Sequence, residues 1–223
     1  MKEKLKIDIV SDVVCPWCTI GYKRLEKAIN ELGIEDQIEI EWQPFQLNPN
    51  MPAEGQNLQE HIVEKYGSSL EQYRQMQEQM TAAGDSVDFV FDYYEEQRMA
   101  NTFDSHILLE YAKEFNKQTE LKMRLTTAFF SERQDVSKRE VLKQALLDVG
   151  LNAEEGMARL NNEEARKAIT TQENYWKELG VNSVPTIIFD RKSAVTGAQP
   201  VDVFKQVLTQ ILKEHETSES SKS

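Results

Sequence analysis

The chain has only two cysteines, and they stand three positions apart as Cys15-Pro16-Trp17-Cys18. Residues three apart on a helix share a face, so the two sulfurs can close a small disulfide ring with little backbone movement. The alternation of Leu5-Lys6-Ile7-Asp8-Ile9-Val10 before them reads as a strand, and the segment from Cys15 to Glu31 reads as a helix ending at Gly33. Cys15 therefore falls at the N-cap or in the first turn. A thiolate there accepts hydrogen bonds from the Trp17 and Cys18 N–H groups and feels the positive end of the helix dipole, which predicts a nucleophile active near neutral pH. Cys18, one turn further in, is predicted to be less exposed and to act as the resolving thiol.

That arrangement implies dithiol-disulfide exchange. The Cys15 thiolate attacks a substrate disulfide, and Cys18 breaks the mixed disulfide and leaves the pair oxidised; the reverse sequence oxidises a dithiol. Pro16 suits the first helical turn, where its missing N–H is an orphan anyway, and it stiffens the loop between the thiols. Trp17 carries no charge to assist Cys15, so the couple is expected to be less oxidising than one with histidine at this position. Two other uses of the pair have to be weighed. Zinc needs four ligands, and His61, His106 and His215 are scattered without a partnering motif, so no metal site is expected. A purely structural disulfide closing so short a loop would restrict the unfolded chain little.

The elements that must position this pair come from changes in hydrophobic period. Ile38-Glu39-Ile40-Glu41-Trp42 is a second alternating strand, completing a β-α-β unit whose two strands are expected to be parallel. Proline and asparagine between Pro44 and Pro52 mark a boundary, and a long helical tract follows. Asn57 with Glu60, Ser137 with Glu140, and Asn152 with Glu155 have the spacing of helix-capping pairs, while Gly67, Gly84, Gly150 and Gly180 stand where helices would stop. Apolar stripes such as Leu70, Tyr73, Met76 and Met80 read as core seams. After Gly180 the strand period returns in Val184-Pro185-Thr186-Ile187-Ile188-Phe189, which can pair with Ala194-Val195-Thr196 as a hairpin before a last helix opened by Pro200.

Composition narrows the partners. The chain has 223 residues, 39% of them hydrophobic, enough for one large domain with an insertion. Its 38 acidic and 26 basic residues leave a formal charge of -12, which repels phosphate backbones and anionic membrane surfaces, so no nucleic acid or membrane partner is expected. No apolar stretch is long enough to span a bilayer, and the strand that follows Met1 at once leaves no room for a secretory signal; the expected compartment is the cytoplasm.

Ser11-Asp12-Val13-Val14-Cys15-Pro16-Trp17-Cys18 resembles the active-site entry of the DsbA family, particularly its FrnE-like cytoplasmic branch. Asn101-Thr102-Phe103-Asp104-Ser105-His106 resembles a helix of that branch's insertion, and Gly180-Val181-Asn182-Ser183-Val184-Pro185-Thr186 with Gly197-Ala198-Gln199 resembles its C-terminal half. The resemblance implies an α/β thioredoxin-like fold with a large all-helical insertion: residues 1–49 and 181–215 form the thioredoxin-like domain, 50–180 the insertion, and 216–223 a disordered tail. It also implies a cis Pro185 facing the cysteines, with Val184 offering backbone groups to substrate. Asp12 and His106 are candidate tuning residues, although a turn acceptor and a packed helix histidine are the plainer readings. No bound metal or organic cofactor is required. Substrates would be protein or small-molecule thiols and disulfides, with glutathione able to serve as redox partner; the oligomeric state stays open. Two rival readings remain. One is a glutathione-dependent isomerase or transferase resembling hydroxychromene-carboxylate isomerases and kappa-class transferases, which typically carry serine in place of Cys15. The other is a chaperone-like binder without catalysis. The second cysteine pair that some FrnE-like members carry near the C-terminus is missing here.

Overall fold

The structure, a computed structural model, describes residues 4–220. In chain order its elements are β1 (Leu5–Ser11), α1 (Pro16–Leu32), β2 (Ile38–Pro44), β3 (Gln56–Asn57), α2 (Leu58–Tyr66), α3 (Leu70–Asp85), β4 (Arg98–Met99), α4 (Phe103–Lys113), α5 (Gln118–Phe130), α6 (Arg139–Asp148), α7 (Ala153–Arg159), α8 (Glu163–Glu178), β5 (Thr186–Phe189), β6 (Ser193–Thr196) and α9 (Val201–Ser220).

The main sheet runs β2-β1-β5-β6, with β1 parallel to β2 and the remaining neighbours antiparallel. Helix α1 makes the crossover and stops where Gly33 takes a left-handed φ of 64°, its N–H returning to the Asn30 carbonyl while Ile34 N–H reaches Ile29. Pairing of Ile7 with Phe189 and Ile9 with Ile187 puts alternate residues of both strands on one face. That face, with Leu5, packs against Leu25, Ala28 and Ile29 of α1 and Phe204 and Leu208 of α9. The opposite face places Val10 and Ile188 against Phe45, Trp176 and Val181. Leu25 is fully buried between the sheet and α9. Leu25→Ala is expected to cost about 2–5 kcal/mol, read as a lowered urea midpoint with an unchanged slope.

A second core lies among the helices joining β2 to β5, where Leu108, Tyr111, Leu121, Leu125, Phe129 and Leu146 meet. Val13, Val14 and Ile20, from both sides of the cysteine pair, belong to this core, so the active-site turn is anchored from the insertion side.

Four details depart from the sequence reading. The insertion is not all helical, because Gln56 and Asn57 pair with Met99 and Arg98 in a two-stranded ribbon. Gly84 does not end α3; a Cβ there would lie 2.5 Å from the Phe89 carbonyl oxygen, so the glycine lets the chain fold back over the helix. Ser137 does not cap α6, since its N–H and hydroxyl go to Asp135 and the helix starts after Lys138. Helix α9 continues to Ser220, so residues 216–220 of the expected tail are helical, and residues 221–223 lie outside the described residues.

Candidate active site

Cys15 occupies the N-cap of α1 with extended backbone (φ −98°, ψ 110°), and Pro16 begins the helix. The Cys18 N–H bonds the Cys15 carbonyl at 3.1 Å, and no N–H is capped by the Cys15 side chain. Neither the Trp17 nor the Cys18 N–H makes the expected cap bond to Sγ, although the Cys18 N–H still favours the Cys15 thiolate, and Sγ lies 3.9 Å from the Val184 carbonyl oxygen. Both thiols are free, with Cys15 4% and Cys18 1% exposed, beside a Trp17 that is 38% exposed. The Val184-Pro185 peptide is cis. Gly21 in α1 makes room for this segment, since a Cβ there would stand 3.1 Å from Pro185 Cγ.

The ionisations of the two thiols are linked. Hydrogen bonding to Cys18, then burial, push Cys15 well above the ordinary thiol value. Burial also pushes Cys18 up, but the hydrogen bond from Cys15, the Lys122 charge, the Ser11 hydroxyl and the backbone at Asp12 outweigh it and hold Cys18 below the ordinary value. The pair thus loses its first proton more readily than a free thiol and its second with difficulty.

Asp12 and His106 meet one layer beneath the cysteines. Asp12 Oδ1 accepts the Val13 N–H at 2.7 Å, its Oδ2 accepts the Leu47 N–H at 2.8 Å, and His106 Nε2 lies 3.4 Å from Oδ1. The carboxylate therefore pins the turn before Cys15 to the loop after β2. Burial pushes its pKa up, but His106, the Leu47 N–H and the Lys122 charge bring it below the ordinary value of 3.8. A depressed pKa means that this stabilisation is present above pH 3.8 and is lost as pH falls through the lower folded-state value. Asp12→Asn is expected to be less stable at neutral pH and to lose less stability on acidification, measured by urea unfolding across the acid range.

Lys122 escaped the sequence reading. It is 3% exposed, its Nζ has no hydrogen-bond partner among the described residues, and it stands 5.1 Å from the centroid of the Trp42 ring. Its place is set one turn earlier in α5, where Gln118 bonds both the N–H and the carbonyl of Trp42. Positions i and i+4 share a helix face, so Lys122 is carried inward with Gln118. Burial pushes its pKa down, opposed by the charges of Cys18, Asp12 and Cys15.

A cavity of about 470 Å³ opens beside Cys15, walled by Trp17, Tyr73, Met76, Met80, Tyr93, Phe130 and Val184, with His61 and Lys65 also lining it. The stripe of Tyr73, Met76 and Met80, read from sequence as a core seam, faces this space. Of the residues expected at the site, Cys15, Pro16, Trp17 and Val184 line the cavity, while Cys18, Pro185, Asp12 and His106 are not among its lining residues. Among the described residues no group of three or more His, Cys, Asp or Glu side chains could hold a metal ion, and no helix is long and apolar enough to cross a membrane.

Similarities to known proteins agree with this geometry. The crystal structure of a probable DsbA oxidoreductase from Streptomyces coelicolor, SCO1869, is 31% identical and superposes with a TM-score of 0.88, covering 94% of this chain and 91% of its own. YwbO, an uncharacterised protein of Bacillus subtilis (strain 168), is 26% identical over 209 residues, 91% of this chain and 95% of its own length. The cytosolic disulfide reductase DsbM of Pseudomonas aeruginosa, solved with GSH, is 16% identical, covers 94% of this chain and all (100%) of its own, and shares the fold with a TM-score of 0.65. The DSBA-like thioredoxin domain model matches residues 6–209, and with the cysteine pair at the head of α1 beside a cis Val184-Pro185 peptide, the chain belongs to that family.

Proposed function

We propose that this chain is a thiol-disulfide oxidoreductase of the cytoplasm, working through Cys15 as nucleophile and Cys18 as resolving thiol. One observation carries the reading: two buried free thiols stand one turn apart at the head of α1, and the outer one borders a cavity. A lowered first ionisation of the pair favours formation of a thiolate, and a raised second keeps a proton at hand for the departing thiolate of the substrate. Val184 lies against Cys15, where its backbone can pair with an extended substrate, and Pro185 holds that segment against α1. The cytoplasmic assignment is supported by the shared fold of the reductase described as cytosolic in Pseudomonas aeruginosa. Glutathione is the proposed redox partner, as the ligand solved with that reductase suggests.

The test is equilibration with glutathione buffers, scoring the two redox states by thiol alkylation. The expected result is one two-electron couple with a potential nearer to that of thioredoxin, about −270 mV, than to that of DsbA, about −120 mV, because Trp17 brings no positive charge to the reduced pair. Failure to form a Cys15-Cys18 disulfide at any glutathione ratio would overturn the proposal.

A further inference from the structure

We propose that the cavity beside Cys15 is a substrate site for low-molecular-weight disulfides with an aromatic or similarly apolar body and a carboxylate, the carboxylate being met by Lys65. This rests on the exchange chemistry proposed above and names its substrate class.

The volume, about 470 Å³, lies in the range of small-molecule sites, roughly 300–1,000 Å³. The wall is apolar and adaptable. Tyr73, Met76 and Met80 come from α3, with Tyr93 and Phe130 opposite. Unbranched thioethers reshape around flat ligands and make favourable contacts to aromatic rings. Such a lining favours a ligand with a flat apolar body in contact with the wall.

The cavity has one lysine, Lys65, among its lining residues. Lys65 Nζ donates to the Leu47 carbonyl at 2.9 Å and to Asn48 Oδ1 at 2.7 Å, which fixes it in place. An ammonium has three donors, so one remains. In a chain with a formal charge of -12, this lysine has no carboxylate within ion-pair distance among the described residues. Lys65 is exposed and lines the cavity with its ammonium 5.6 Å from the Tyr66 ring centroid, and the remaining donor can meet an anionic group on the ligand.

The step balances on the protein's own electrons. The Cys15 thiolate attacks one sulfur of R–S–S–R′, forming Cys15–S–S–R and expelling R′S⁻. Cys18 then attacks Cys15 Sγ and expels RS⁻, so the substrate disulfide gains two electrons and the pair is left as a disulfide.

The test uses the pre-reduced full chain in single turnover with three oxidants: dithiobis(nitrobenzoate), which is aromatic and dianionic; dithiodipyridine, which is aromatic and uncharged; and insulin. Lys65→Gln is expected to lower the rate ratio of dithiobis(nitrobenzoate) to dithiodipyridine about tenfold, as loss of a charge-assisted contact does. Met80→Trp, which fills the cavity, is expected to lower the ratio of either aromatic disulfide to insulin about tenfold or more; Met76→Trp serves the same purpose if Met80→Trp does not fold. Unchanged ratios in the folded variants would overturn the site assignment while leaving exchange intact. A wild-type chain that reduces none of the three would instead overturn the exchange reading.

Discussion

Cys15→Ser is expected to abolish disulfide exchange, by more than about a thousandfold, while Cys18→Ser stalls at a mixed disulfide carried on Cys15. The asymmetry follows from position. Cys15 lines the cavity and lies against the Val184 carbonyl, whereas Cys18 does not line it and can reach only a disulfide already formed on its neighbour. Intact mass after mixing with oxidised glutathione distinguishes the two variants: an adduct on Cys18→Ser and none on Cys15→Ser. The ionisation of the pair adds a second readout. In the wild type the first proton leaves readily because the inner sulfur is held by the Cys15 hydrogen bond, Lys122 and Ser11. In Cys18→Ser that inner thiolate is gone, so alkylation of Cys15 should need a higher pH than alkylation of the wild-type pair. An adduct on Cys15→Ser, or glutathione conjugation retained by it, would move the isomerase and transferase reading ahead of ours.

Lys122→Met should make the protein more stable and less active. Burying an amine without a hydrogen-bond partner costs about 1–3 kcal/mol, and methionine fills similar space without that cost. The sign with pH can be worked out. Burial lowers the folded-state pKa of Lys122 below its ordinary 10.5, so between those values the unfolded chain binds more protons, and wild-type stability rises with pH across that window. The methionine variant should lack that rise. Activity moves the other way, because the Lys122 charge is one of the groups that keep Cys18 acidic. The first ionisation of the pair should shift upward and the rate of thiol alkylation at neutral pH should fall, by about tenfold for a shift of one pH unit. A Lys122→Met protein with unchanged thiol titration would show that the lysine is only a packing element.

The legible and illegible parts of this protein divide along a physical line. Alternation in Leu5 to Val10 and Ile38 to Trp42, the helical period between them and the glycine at position 33 each report on one segment's own backbone, and the structure reproduces them within a residue or two at their ends. The cysteine spacing is of the same kind: two residues three positions apart at the head of a helix share a face whatever surrounds them. The hairpin of β5 and β6 follows from the apolar run after Val184 and the turn at Asp190 to Lys192. The ribbon of β3 and β4 is two residues per strand, too short to carry a period. Gly84 looked like a helix stop because its demand for space comes from Phe89 and Phe91, which only the folded chain brings over it.

The site's chemistry depends on that folded chain most of all. By itself the sequence determined the dithiol, its place at the head of a helix and the sheet beneath it, because these are set by neighbours a few positions away. The tertiary structure decided which charge reaches the pair, since Lys122 lies one turn beyond Gln118, whose bond to Trp42 joins positions 76 residues apart. It also decided that Tyr73, Met76 and Met80 line a cavity rather than fill a core, because an amphipathic stripe specifies that a face is covered, and what covers it is settled by packing between distant segments.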